Sequence, residues 1–375
     1  MSASRWPLRS PADSHEGGGA SSDALRALLR QAMDEEASDV HLRAGAPPRL
    51  RMDGDLYQVK DFVPTEDLMW GFFRGMLKPE QIQRFEETLE LDFSHSVPGV
   101  CRVRANLYVE RGTFCASLRL ISRDIPTMDD IGLSSVAQRL THLPYGLVLV
   151  TGPTGSGKST TLAAMLNAIN AQRRCHILTI EDPIEYYFEP DCAMISQREL
   201  EVDTRSFSAA LRHIFRQDPD VVMLGEMRDA ETMQTAITLA ETGHLTFSTL
   251  HTATCTQTIT RIIDAFPPHQ QAQIRAQMAL SLEAVISQRL LKRKGGHGRI
   301  AAREIMLCSR AIRNLIREGK YNQLYSAIQT GVEEGMLTMA TSLGRLLKEG
   351  RIDYEIGLQA ASDSREFAQK FGDGA

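Results

Sequence analysis

Residues 151–165, TGPTGSGKSTTLAAM, follow the apolar run GLVLV and put glycines, hydroxyls and one lysine at a spacing suited to holding a phosphate chain. Gly152, Gly157, Lys158 and Ser159 complete G-x-x-x-x-G-K-[ST] between an expected strand and an expected helix, which is the context the pattern requires. The glycines, Gly155 included, let successive backbone N–H groups turn inward, and the positive end of the helix adds to the field there. The whole run Gly152, Pro153, Thr154, Gly155, Ser156, Gly157, Lys158, Ser159 and Thr160 is the candidate ATP-binding segment. Within it Lys158 is expected at the β- and γ-phosphates and Ser159 on Mg²⁺.

Acidic groups must complete such a site. PDVVMLGEMRD reads as an apolar strand delivering Glu226 beside the loop, where a carboxylate polarises the attacking water; a structural pairing with Arg228 is the alternative. HILTIEDPIE ends in Glu181, Asp182 and Glu185, and Pro183 stops the strand there. Glu181 and Asp182 are candidates for Mg²⁺, directly or through water, with a solvated acidic turn as the alternative. His244 and His251 bracket LTFSTL. Seven positions apart on a strand they point to opposite faces, so one shared metal is not expected. Either could contact the γ-phosphate or couple hydrolysis to a neighbouring subunit; taken singly each reads better as a satisfied core histidine, and only the other motifs together favour function.

The elements that must position these groups follow from the patterning of 375 residues, 42% hydrophobic and 24% charged, a composition that supports two or three globular domains. A formal net charge of −5 argues against the broad basic surface of a nucleic-acid protein, although not against a local groove. Six scattered cysteines without a CxxC pair point to thiols in a reducing cytoplasm rather than to zinc or disulfides. No signal peptide or membrane-length apolar run is present. Residues 1–21, rich in Ser, Gly and Pro, read as a disordered leader.

A helix is expected from Ser22 or Asp23 as N-cap, with Leu25, Leu28, Leu29 and Met33 on one face. A hairpin follows at Asp53-Gly54, and two further alternating strands flank Arg111-Gly112. Residues 22–120 thus form a small helix-plus-antiparallel-sheet domain, 121–145 a linker, and 146–375 a unit with βα rhythm. Its strands are expected at 147–151, 175–181, 221–225 and 245–250, with helices at 206–216 and 230–241 between them. That alternation implies a mainly parallel sheet covered on both faces. From Pro268 onward the chain reads as helical, with a hairpin or strand at 299–307.

The loop, HILTIEDPIE, GEMRDAETM and ETGHLTFSTLHT occur in an order and spacing that resemble the secretion ATPases of type II secretion and type IV pili, over about residues 23–363. In that family these are the Walker A loop, aspartate box, Walker B segment and histidine box. The resemblance implies an α/β fold, a RecA-like P-loop ATPase domain preceded by a small α+β PAS-like domain, and cytoplasmic homohexameric rings at the inner membrane. It also implies ATP bound between the two domains, with arginines supplied by the first; Arg104, Arg111 and Arg119 match, although CRVR in place of RFR leaves Arg102 open as well. Assembly-type members carry a long extra N-terminal domain and a tetracysteine motif not seen here, whereas AIRNLIRE at Ala311–Glu318, on a helix expected from about Arg310 with Ser309 as N-cap, resembles the retraction branch. On that helix Ile312, Leu315 and Ile316 share one face and Arg310, Arg313 and Arg317 another, the latter a candidate for transmitting motion. The implied function is ATP-driven pilus retraction through an inner-membrane platform protein of PilC type, with a PilU paralogue as a candidate partner and without nucleic acid. The alternatives are a PilU-like accessory ATPase, a RecA-like nucleic-acid translocase and a nucleotide-binding structural ring.

Overall fold

The computed structural model describes residues 18–372 except 53, 122–124, 134 and 296–297. These residues fall into two compact units, the second beginning at Ile125. Most of the expected leader lies outside the described residues. Its last part does not: helix α1 runs over Gly18–Asp34, beginning before the Ser22 cap expected from the sequence.

The first unit continues with strands β1 (Asp39–Arg43), β2 (Arg49–Met52) and β3 (Asp55–Gln58), helices α2 (Glu66–Arg74) and α3 (Pro79–Thr88), and strands β4 (Glu90–Val97), β5 (Cys101–Glu110) and β6 (Thr113–Ile121). All the pairs are antiparallel, in the order β3-β2-β1-β6-β5-β4. The β2–β3 register closes at Met52 opposite Asp55 around Gly54, at φ +98°, while Asp53 of the expected turn lies outside the described residues. Three strands, not two, surround the second turn, because Gly99 (φ +74°) reverses the chain between β4 and β5. The alternation is physical: Val103, Ala105 and Leu107 of β5 are buried while Arg104 is exposed. Phe73, Phe85 and Phe114 centre this core, with Phe85 and Phe114 edge-to-face at 5.6 Å.

The second unit opens with α4 (Ser135–Thr141), a short helix inside the expected linker. It continues β7 (Gly146–Thr151), α5 (Lys158–Gln172), β8 (His176–Glu181), β9 (Met194–Glu199), α6 (Phe207–Ile214), β10 (Val221–Leu224), α7 (Ala230–Glu241), β11 (Leu245–Leu250), α8 (Cys255–Asp264), α9 (Pro268–Ser281), β12 (Leu282–Lys292) and β13 (Arg299–Leu307). Helices α10 (Arg310–Glu318), α11 (Leu324–Thr330), α12 (Met339–Lys348), α13 (Tyr354–Ala360) and α14 (Ser364–Phe371) complete it. The sheet order is β13-β12-β7-β11-β10-β8-β9, and every pair is parallel except β12–β13. Every residue of β7, β10 and β11 is buried, as required of strands covered by helices on both faces.

Two strands depart from the sequence expectation. β9 is an edge strand whose residues are mostly half-buried, so it lacks an apolar run. β12 spans 11 residues that read as helical, because burial on both faces removes the period-2 signal.

Candidate active site

Parallel strands deliver their carboxyl ends to one edge of the sheet, which is where open α/β sheets place ligands. Here that edge gathers the loop after β7, Glu181–Asp182 after β8, Glu226 after β10, His251 after β11 and Gln288 within β12.

The loop depends on glycine. Gly152 (φ +142°), Gly155 (φ +76°) and Gly157 (φ +84°) hold backbone conformations that disfavour side chains, and a Cβ on Gly152 would lie 2.3 Å from the Gln288 carbonyl oxygen. Helix α5 then starts at Lys158 without a side-chain cap, leaving its first-turn N–H groups for a ligand. The Ser156 hydroxyl is buried without a hydrogen-bond partner. An orphaned donor in an anion cradle fits phosphate. Pro153, Thr154, Ser156, His251, Arg289 and Leu291 are among the residues lining an open cleft of about 310 Å³ here.

Lys158 is 9% exposed and donates to the carbonyls of Gly152 (3.0 Å) and Pro153 (3.1 Å), and at 3.5 Å to Nδ1 of His251. Burial pulls its pKa below the usual lysine value, against the opposing pull of the Glu226 and Glu185 carboxylates. An ammonium only donates, so Nδ1 of His251 accepts and the imidazole proton sits on Nε2, 3.1 Å from Oε1 of Glu226. Oε2 of Glu226 accepts from Nε of Arg228 at 2.9 Å, and Arg228 also approaches Asp182 at 3.6 Å. The Arg228 pairing is therefore present alongside the lysine–histidine–carboxylate chain. Gly225 makes this approach possible: its N–H donates to Ile180, and a Cβ there would crowd the Ile180 carbonyl at 3.3 Å.

Glu181 is buried, accepting from Thr179 (2.7 Å) and Gln197 (3.2 Å). Burial pushes its pKa up to about 7, opposed by those hydrogen bonds. Gln197 also donates to the Tyr186 carbonyl, and the Tyr186 hydroxyl meets that of Thr160 at 2.9 Å, so β9 braces the first turn of α5. Among the described residues no group of three or more His, Cys, Asp and Glu side chains could hold a metal ion by itself. A Mg²⁺ that takes most of its ligands from phosphates and water needs only one or two protein oxygens, and Ser159 and an acid of this edge are of the type that would supply them.

Two expectations are corrected. His244 stands at the opposite end of β11, roughly 20 Å of strand away from the loop. Its Nδ1 lies 3.0 Å from the Leu239 carbonyl and its ring packs edge-on to Phe215, so it meets no phosphate held by its own chain's loop. Arg313 does not share an open face with Arg310 and Arg317. Its guanidinium caps the end of α9 through the carbonyls of Ala279 (3.0 Å) and Leu280 (2.9 Å) and pairs with Glu283 at 2.7 Å.

In the first unit Arg104 and Arg119 stand directly opposite in the β5–β6 register, two like charges side by side. Asp39 accepts from Nε of Arg119 at 3.1 Å, and Arg111 occupies the following turn at φ +51°.

Sequence reasoning passed over Gln197, Tyr186 and Gln288. Gln288 leaves a signal: a lone amide inside the apolar stretch AVISQRLL.

A glycine cradle after the first strand of a parallel sheet, with an acid two strands away, defines a P-loop nucleotide-binding protein. Residues 102–348 match the family described as Type II/IV secretion system protein, and the chain belongs to that family. It is similar to the type IV pilus retraction ATPase PilT of Pseudomonas aeruginosa, 47% identical over 341 residues that cover 91% of this chain and 98% of the relative. The type IV pilus ATPase PilU of the same organism is 35% identical over 339 residues, covering 90% and 89%. A crystal structure of the pilus retraction motor PilT with bound ADP superimposes with a TM-score of 0.85 at 45% identity, covering 92% of this chain and 99% of that one.

Proposed function

We propose that this protein is an ATP-hydrolysing motor that drives type IV pilus retraction. The observation that carries the reading is the match to PilT along nearly the whole of both chains, at higher identity than the match to PilU. Lys158, held at the loop by two carbonyls, exchanges them for β- and γ-phosphate oxygens when ATP enters. Ser159 and Asp182 or Glu181 would hold Mg²⁺, which would neutralise charge on the phosphates when bound. Glu226 orients the attacking water, and His251 joins it to Lys158 so that the acid senses what occupies the loop. Arg104, Arg111 and Arg119 are the arginines that meet charge developing on the transferred phosphoryl group, Arg119 after leaving Asp39. The working form is a homohexamer acting on a PilC-type platform protein at the cytoplasmic side of the inner membrane, with a PilU paralogue as accessory. No helix among the described residues is long and apolar enough to cross a membrane.

The test is ATP turnover by the purified protein, with and without single-stranded DNA. Lys158→Ala is expected to lose ATP binding. Glu226→Gln is expected to keep nucleotide affinity and lose turnover by orders of magnitude, as for other water-orienting groups. DNA-stimulated turnover would instead favour a translocase, and undiminished turnover in Glu226→Gln would remove that residue from the mechanism.

A further inference from the structure

Gln288 is 1% exposed, an amide side chain in the middle of a largely apolar strand. β12 runs parallel to β7, and their pairing ends with Ser287 opposite Thr151, so Gln288 lies alongside the first residue of the phosphate loop. Its side chain makes two buried hydrogen bonds: Nε2 donates to the Ser156 carbonyl at 2.7 Å, and Oε1 accepts from the Thr161 hydroxyl at 2.9 Å. Its own carbonyl fills the space a Cβ on Gly152 would need, and Nε2 stands 3.3 Å from where a Cβ on Gly157 would be. One residue of a distant strand therefore touches Gly152, Ser156, Gly157 and Thr161, which span the loop from its first glycine to the first turn of α5.

The amide cannot be turned round. The Ser156 carbonyl only accepts, so the NH₂ must face it, and the Thr161 hydroxyl donates to the remaining oxygen. A trans peptide unit points its C=O and its N–H in opposite directions. Fixing the Ser156 carbonyl outward onto Gln288 therefore fixes the next N–H, that of Gly157, inward toward the cradle. Gly157 follows this peptide at φ +84°, a conformation glycine adopts without strain, so its own backbone preference does not fix that plane.

We propose that Gln288 is the positioning residue of the phosphate loop: its amide pins the Ser156–Gly157 peptide so that the Gly157 N–H faces the phosphates, with Thr161 locking the amide's orientation. It touches no reacting atom and acts through the backbone. The proposal rests on the loop binding nucleotide, as put forward above.

The test measures ATP and ADP affinity with a fluorescent nucleotide analogue, together with KM, kcat and the melting temperature, for the wild type, Gln288→Met, Gln288→Glu and Thr161→Val. Gln288→Met keeps the volume and loses both hydrogen bonds; affinity for both nucleotides is expected to fall roughly tenfold or more, the worth of one hydrogen bond to a charged group. The loss is expected in KM rather than kcat. Thr161→Val is expected to lose less than Gln288→Met, since the donor to Ser156 survives. Gln288→Glu supplies the signature: its carboxyl, when protonated, can still donate to Ser156, so affinity stays near the wild type at pH 6 and falls as pH rises, while the wild type changes little. Should Gln288→Met not fold, that pH profile decides. Wild-type affinity in all three variants would overturn the proposal alone, as would a lowered melting temperature with unchanged affinity and a flat pH profile. Failure of the wild type to bind nucleotide would overturn the functional reading and this proposal with it.

Discussion

Two glycines of the same loop differ in what surrounds them, and alanine at each gives different costs. At Gly152 a Cβ would meet the Gln288 carbonyl oxygen at 2.3 Å and Ser156 Oγ at 2.6 Å, at φ +142°. The backbone conformation costs about 1–3 kcal/mol for a residue with a side chain. The contact with a backbone atom that cannot rotate away adds about 1–3 kcal/mol of overpacking. Gly152→Ala is therefore expected to cost about 2–6 kcal/mol. At Gly155 the φ is +76° and nothing lies within 4 Å, so only left-handed strain of about 1–2 kcal/mol applies. For a unit of this size each kcal/mol moves the melting temperature by about 2–4 °C. Calorimetry at matched protein concentration is expected to show Gly152→Ala melting on the order of 10 °C below the wild type and Gly155→Ala only a few degrees below. Equal losses at the two positions, or a Gly152→Ala protein that melts with the wild type, would refute the close approach of β12 to the loop.

Arg313→Ala strands two carbonyls of α9 and unpairs Glu283, so denaturant unfolding should show a loss of about 2 kcal/mol, whereas exposed Arg317→Ala should stay within about 0.5 kcal/mol. Pili in an Arg313→Ala strain thus report on folding before they report on force transmission. Thiol alkylation of the native protein at pH 8.5 is expected to modify exposed Cys192 and spare Cys308, whose thiol burial holds protonated with a pKa pushed up to about 12; labelling of Cys308 at a rate like that of Cys192 would contradict its burial.

The phosphate loop was legible because its chemistry is contiguous: nine residues carry the glycines, the lysine and the hydroxyls, and the apolar run before them announces the strand. Glu226 and His251 were legible for a related reason, since parallel strands bring their carboxyl ends to one edge whatever the loops between them do. What the sequence hid is lateral. Gln288 is 136 positions beyond Gly152, counted as 288 − 152, and only the β7–β12 pairing makes them neighbours. The β12 strand itself was masked by two-sided burial, and β9 by its place at the edge. The arginine pattern of α10 was visible as a helical face, but helical spacing does not reveal that the end of α9 sits against one member of it. His244 shows the same limit in reverse: two histidines flank one strand in the sequence, yet six residues of extended chain put them at opposite ends of it, so His244 is far from its own chain's loop.

The most direct measurement is live imaging of fluorescently labelled pili in the host bacterium with its chromosomal copy deleted. Complementation with the wild-type protein is expected to give pili that extend and then shorten, with twitching motility; complementation with Glu226→Gln, produced at the same level, is expected to give pili that extend and stay out. Pili that shorten at wild-type frequency with Glu226→Gln, or in the deletion itself, would contradict ATP-driven retraction by this protein.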